Sequence, residues 1–210
     1  MIKGQRSILD SLPIRGDERV LDVGVGAGDA REYFISKGCN VTSTTSKGIK
    51  DKPSVFIKDL EPDKEKQIIP TGMYSLPFSD GMFDVVWCSH VLEHLLDVKT
   101  ALKELRRVLK VDGWFFVSVP PYYPTFSPGH YNLWDMARLI YVLGVSGFDT
   151  KNGHYAEIGY NLVACVKRSE EVLGEMEGSL RRNYKRIFPC KIVKGKRMKS
   201  CNIRWPAKRQ

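Results

Sequence analysis

Apolar and polar positions along this chain switch between two periods, one of strands and one of helices. Val20-Leu21-Asp22-Val23 is a short apolar run that leads into Gly24-Val25-Gly26-Ala27-Gly28. From Asp29, Ala30, Tyr33 and Phe34 fall at helical spacing, with Lys37 in the last turn and Gly38 as the stop. Residues 39–44 are rich in β-branched side chains and predict a second strand. Val55-Phe56-Ile57 reads as a third, with Ile68-Ile69-Pro70 as the alternative. Residues 83–88 are apolar but for Asp84, as in strands buried on both faces of a parallel sheet. Asp97 is placed to cap a helix in which Val98, Leu102, Leu105 and Leu109 recur every three or four residues, and Gly113 is expected to end it. Residues 114–119 predict a strand stopped by Pro120-Pro121, residues 134–142 a helix, and residues 161–166 the last strand. Alternation of this kind predicts an α/β fold with a doubly wound, mostly parallel sheet and crossover helices. Residues 1–19, with Ile8, Leu9 and Leu12, are expected to form a cover segment, 20–168 the main domain and 169–210 an extension.

Composition changes this picture in one place. Of the 210 residues, 181–210 hold twelve Lys or Arg and no Asp or Glu, which leaves residues 1–180 with 21 basic against 24 acidic side chains. The overall charge of +9 therefore belongs to the tail, and an anionic partner, an RNA or a phosphorylated substrate, is expected there. Tyr184, Phe188 and Trp205 interleave with those cations, a pattern that suits stacking on bases. The N-terminal residues lack the apolar run of a signal peptide, and no apolar run is long enough to span a bilayer. Five scattered cysteines without a C-x-x-C argue against a disulfide framework or a zinc site, so no metal and a cytoplasmic setting are expected.

The glycine turn carries the first chemistry. Gly24, Gly26 and Gly28 allow positive φ and put no Cβ in a ligand's way, and the helix that follows offers its N-terminus. The spacing is G-x-G-x-G rather than the dinucleotide fingerprint G-x-G-x-x-G, so by itself it is equally a tight turn.

Three further motifs follow in order. They are Leu-Pro-Phe-Ser-Asp-Gly-Met-Phe-Asp-Val-Val at 76–86, His-Val-Leu-Glu-His-Leu at 90–95 and Leu-Arg-Arg-Val-Leu-Lys-Val-Asp-Gly at 105–113. Together with residues 20–28 they resemble the class I S-adenosylmethionine-dependent methyltransferases, of the type 11 methyltransferase domain kind. The resemblance is close over 20–120 and loose over 121–168. It implies a Rossmann-like fold, S-adenosylmethionine as cofactor, S-adenosylhomocysteine as product and methyl transfer as the reaction.

The resemblance also assigns roles. Gly24, Gly26 and Gly28 would let the backbone approach the cofactor's amino-acid and ribose portions. Asp22 would orient the turn or face the ligand's ammonium, or else accept hydrogen bonds from the turn's own N–H groups. Where relatives place an acid for the ribose hydroxyls, this chain has Thr44 and Thr45, which cannot supply a charge-assisted bidentate pair. Asp59 is the expected partner of the adenine amino group, with Leu60 on the ring; a competing alignment points to Gly72 and Met73. Cys88 and Ser89 would form the wall beneath the cofactor, and His94 its edge. Methyl transfer to a hydroxyl needs a proton acceptor, and His90 and His130 are the candidates. Tyr122, Tyr123 and Tyr131 are candidates for lining the acceptor pocket.

The sequence Cys88-Ser89-His90-Val91 lacks the Asn-Pro-Pro-Tyr-like turn of base amino methyltransferases. The 129–132 segment and Gly147-Phe148 are loosely similar to methyltransferase domains of sugar and glycan pathways. An O-methyltransferase acting on a small-molecule or glycan-type acceptor is therefore expected. An RNA methyltransferase using the tail is the second reading, and a relative that binds its ligand weakly the third.

Overall fold

A computed structural model describes residues 9–10, 12–47, 60–123 and 127–170. The elements are β1 (Arg19–Val23), α1 (Asp29–Ser36), β2 (Asn40–Thr45), β3 (Ile68–Pro70), β4 (Phe83–Ser89), a 3₁₀ turn (Leu92–His94), α2 (Val98–Val108), β5 (Leu109–Val119), α3 (Met136–Val145), β6 (Phe148–Glu157) and β7 (Leu162–Arg168). One seven-stranded sheet runs in the order β3-β2-β1-β4-β5-β7-β6. The pairs β1–β2, β1–β4, β2–β3 and β4–β5 are parallel, and β5–β7 and β6–β7 are antiparallel. This is the doubly wound, mostly parallel sheet that the alternation predicts.

Period-2 alternation sends neighbouring residues to opposite faces of the sheet. Leu21, Val23, Val86, Cys88, Phe115 and Val117 point to one face, where Leu102 and Leu105 of α2 and Leu139 and Leu143 of α3 cover them. Val20, Val85, Trp87 and Phe116 point to the other, beneath Tyr33 and Phe34 of α1 and Leu9 and Leu12. Tyr33 also donates its hydroxyl to the Leu9 carbonyl at 3.0 Å, tying the leading segment to α1. No helix among the described residues is long and apolar enough to cross a membrane.

Three expectations change. The strand beside β2 is Ile68–Pro70, the alternative, while Val55-Phe56-Ile57 and the basic tail beyond 170 lie outside the described residues. Helix α2 stops at Val108 rather than Gly113: Leu109 already pairs with Phe83 in the sheet. The chain then turns at Asp112, whose φ is 58°, and a Cβ on Gly113 would stand 2.8 Å from the Lys110 carbonyl oxygen. Finally, Phe148–Glu157 forms an edge strand that the polar run 149–154 concealed.

The strand order reverses between β2 and β4 on either side of β1. In such sheets the crevice outside the carboxyl ends of the strands at that reversal receives ligands. Here it lies at the ends of β1 and β4, where the glycine turn and residues 90–94 emerge.

Candidate active site

The glycine turn is built as its sequence suggests. Gly24, Gly26 and Gly28 have φ of 71°, 52° and 87°. Gly28 is the N-cap of α1 and supplies no side-chain cap. Strand β2 holds the turn: Gly24 N–H donates to Thr44 Oγ1 at 3.1 Å and Val25 N–H to the Thr44 carbonyl at 2.8 Å. The space in front of it is narrow. A Cβ on Gly24 would stand 2.8 Å from Val91 Cγ2, and one on Gly28 3.0 Å from Leu60 Cδ1. The backbone bends toward the crevice with no side chain of its own, as a nucleoside-type cofactor requires, so the turn fits that group.

Other expected cofactor contacts are arranged differently. Asp22 is buried and accepts from Ser43 Oγ at 3.1 Å rather than from the turn's N–H groups. Arg31 donates to the same Ser43 Oγ and to the Val41 carbonyl. Burial raises the Asp22 carboxyl to about 6, against the lowering effects of Ser43 and the Arg31 charge. The Thr44 and Thr45 hydroxyls each have a partner within the protein. Thr44 Oγ1 serves Gly24, while Thr45 Oγ1 donates to the Leu60 carbonyl at 3.2 Å and accepts from Lys47 N–H at 3.2 Å. Leu60 packs over the turn, its N–H on the Gly26 carbonyl at 2.9 Å. Asp59 lies outside the described residues. With β3 at Ile68–Pro70, Gly72 and Met73 are the residues just beyond the third parallel strand.

The end of β4 is fixed from β5. Ser89 and Ser118 share a 2.7 Å hydroxyl–hydroxyl hydrogen bond, and His90 N–H donates to the Ser118 carbonyl at 2.9 Å. Cys88 is fully buried, and that burial, with Glu93 and Asp22 nearby, pushes its thiol well above the usual range, which disfavours a reactive thiolate.

His90 takes φ of 55°, uncommon for a residue other than glycine. This backbone turn aims its ring between two partners. Nε2 stands 2.7 Å from Asn161 Oδ1, and Asn161 Nδ2 donates to the Ile158 carbonyl, so Oδ1 is the accepting end and Nε2 carries the hydrogen. Nδ1 stands 3.1 Å from Glu93 Oε1. Burial alone would lower the His90 pKa, but Glu93 and Asn161 overcome it and the net shift is upward.

Two more histidines complete the group. His94 Nδ1 meets the Gly129 carbonyl at 2.8 Å, and its Nε2 lies 3.9 Å from Glu93 Oε1. The His130 ring stands edge-on to His94, centroids 4.9 Å apart. Burial and the neighbouring His94 lower the His130 pKa, with Glu93 opposing and His90 adding to the effect. His130 also lines an open groove with Pro120, Tyr123, Trp134 and Tyr160. Of the candidate aromatics, Tyr123 lines this groove, whereas Tyr122 and Tyr131 are exposed outside its lining. Sequence reasoning missed Glu93 and Asn161 as site residues. Glu93 was visible as the acid of His-x-x-Glu-His, but Asn161 arrives from β7's leading end and carries no local signal.

The sheet order, the bare turn at its reversal and the polar cluster beside it define the Rossmann-like class that binds nucleoside cofactors at this edge. Comparison with known proteins sharpens the class. A methyltransferase-domain family model matches residues 21–117, a little under half of the chain, and over that stretch the chain is similar to S-adenosylmethionine-dependent methyltransferases. The Bacillus subtilis methyltransferase YcgJ is 34% identical over 106 residues, 49% of this chain and 41% of that protein. The ubiquinone biosynthesis O-methyltransferase of Paracidovorax citrulli is 31% identical over 108 residues, 50% of this chain and 44% of that protein. Among solved structures, the Burkholderia thailandensis 1,6-didemethyltoxoflavin-N1-methyltransferase, with its substrate and S-adenosylhomocysteine bound, superposes with a TM-score of 0.55. It is 19% identical, and the match covers 73% of this chain and 72% of that one. The matches span 64% of the length of one curated relative and 34–49% of seven others.

Proposed function

We propose that this chain transfers a methyl group from S-adenosylmethionine to an oxygen of a small-molecule or glycan-type acceptor. The observation that carries the reading is the contact between the two halves of the crevice. The positive-φ turn at Gly24 faces Val91, the residue directly after His90, so the bare backbone and the polar cluster border the same space.

The cofactor supplies a methyl carbon activated by a sulfonium. The chain's own residues then bind, orient and take a proton. Gly24, Gly26 and Gly28 would carry the cofactor's amino-acid and ribose portions, with Leu60 against the turn. The acceptor's proton would pass to the cluster of His90, Glu93, His94 and His130. That His130 lines the groove supports it as the member that would meet an acceptor, whereas both ring nitrogens of His90 already face partners. His90 is therefore a positioning residue that acts through Glu93.

Calorimetric titration of the full chain with S-adenosylhomocysteine, followed by transfer of labelled methyl to a panel of hydroxyl acceptors, tests this reading. Micromolar binding is expected, and no heat at millimolar ligand would overturn it in favour of a weakly binding relative. The RNA reading draws on the twelve cations of 181–210. RNA affinity of the full chain that falls steeply with salt, together with methyl transfer to RNA, would favour it over the small acceptor.

A further inference from the structure

Three of the four histidines of the chain meet at one buried carboxylate. Glu93 is fully buried, yet among the described residues no donor meets either of its oxygens in hydrogen-bond geometry. His90 Nδ1, 3.1 Å away, accounts by distance for Oε1, and Oε2 has nothing. A buried carboxylate is costly unless a cation completes it. The ligating atoms of Glu93, His94 and His130 all lie within 4.8 Å of one another. The outer contact is also that of a metal ligand: His94 Nδ1 faces the Gly129 carbonyl, which can only accept, so Nδ1 holds a hydrogen, and Nε2, 3.9 Å from Glu93 Oε1, is the nitrogen that would ligate in the neutral ring.

We propose that Glu93, His94 and His130 form a binding site for a divalent first-row transition metal, with zinc as the representative ion. One carboxylate and two imidazoles suit zinc, iron(II) or cobalt(II) and disfavour magnesium and calcium, which prefer all-oxygen sites. Ligand atoms about 2.1 Å from a tetrahedral zinc stand about 3.4 Å apart, so from separations of up to 4.8 Å the site closes by a contraction of up to about 1.4 Å. His130, carried on a loop, is the ligand placed to make it. The three-residue set leaves a position open, and His130 borders the acceptor groove. The site thereby departs from the expectation of no metal drawn from the cysteines. With the metal bound, His130 would be a ligand rather than the proton acceptor, and the open position would take the acceptor hydroxyl and make it more acidic; that role rests on the methyl-transfer reading, and the existence of the site does not.

The test uses full-length protein stripped with a chelator and titrated calorimetrically with zinc chloride, with cobalt chloride as an absorption probe. One zinc per chain is expected, unaffected by excess magnesium. Glu93→Gln preserves shape and removes charge, and His130→Ala removes a ligand from a loop rather than the core. Each is expected to weaken zinc at least tenfold and to alter the cobalt spectrum. His154→Ala, on β6 beside Trp114, is expected to leave both unchanged. If Glu93→Gln does not fold, His130→Ala still reads the site. No saturable zinc, or equal affinity in wild type and His130→Ala, would overturn the proposal. Titrating the metal-free protein with S-adenosylhomocysteine separates the two readings: lost cofactor binding with retained zinc sinks methyl transfer and upholds the metal site.

Discussion

Thr44 accepts two consecutive N–H groups of the glycine turn, Gly24 on its hydroxyl at 3.1 Å and Val25 on its carbonyl at 2.8 Å. Strand β2 thereby braces the glycine turn through Thr44. Thr44→Val keeps the shape and the carbonyl but leaves Gly24 N–H without its acceptor. Gly24 is exposed and the bond only part-buried, so its loss costs about 0.5–1.5 kcal/mol. Urea unfolding is expected to show a loss in that range, and S-adenosylhomocysteine affinity is expected to fall with it. Unchanged values for both would mean that Thr44 does not brace the turn.

Gly24 is constrained in two separable ways. Its φ of 71° penalises any L side chain, and a Cβ there would stand 2.8 Å from Val91 Cγ2. Gly24→Ala is expected to reduce S-adenosylhomocysteine affinity at least tenfold. Adding Val91→Ala removes the collision and leaves the backbone strain of about 1–2 kcal/mol. A double-mutant cycle should show partial rescue. Full rescue would place the whole effect in the collision, and none would place it in the backbone.

Asp22 makes stability depend on pH in the direction opposite to a salt-bridged carboxylate. Burial first, only partly offset by Ser43 and Arg31, raises its pKa to about 6 from an ordinary 3.8. The folded protein thus holds a proton between these values that the unfolded chain releases. The contribution of Asp22 is present in full below about pH 4 and is lost as pH rises through about 6. Two units correspond to about 3 kcal/mol. Glu18, Asp84 and Glu104 have lowered pKa values and run the other way, so the informative quantity is wild type minus Asp22→Asn. That difference in unfolding free energy is expected to fall by about 3 kcal/mol from pH 4 to pH 7; a flat difference would refute the raised pKa.

Most of the central sheet was legible because its strands are buried on both faces and its helices are capped by local signals. Asp97 does accept from Thr100 N–H at 3.0 Å, and Gly38 does leave the helix with φ of 89°. The legible stretches are those whose burial the chain's own period announces. Strand β6 was not legible: its middle residues 151–154 are not buried, so its pattern is polar. The end of α2 was misplaced because Leu109 continues the helical stripe while already serving the sheet, and one buried leucine fits both periods. The third strand was ambiguous because three residues of Ile-Ile-Pro carry too little pattern to compete with another apolar triplet. At the site, the glycine turn was local and readable. The His90–Asn161 contact joins residues 71 positions apart, and only the antiparallel return of β7 beside β5 brings them together.

His90 allows shape and chemistry to be tested apart. Its φ of 55° suits asparagine or glycine, so His90→Asn should keep the backbone turn while removing the imidazole beside Glu93. His90→Val, β-branched, should not tolerate that turn and is expected to lose about 1–2 kcal/mol or more of stability. If His90 only shapes the chain, His90→Asn will keep both stability and turnover, and His90→Val alone will be impaired. If it positions Glu93 for proton transfer, His90→Asn will unfold within about 0.5 kcal/mol of wild type. In that case it should bind S-adenosylhomocysteine normally yet lose at least tenfold in kcat with little change in acceptor KM. Binding and rate would separate in this way because the His90 ring contacts Glu93 and Asn161, whereas the glycine turn is held by Thr44.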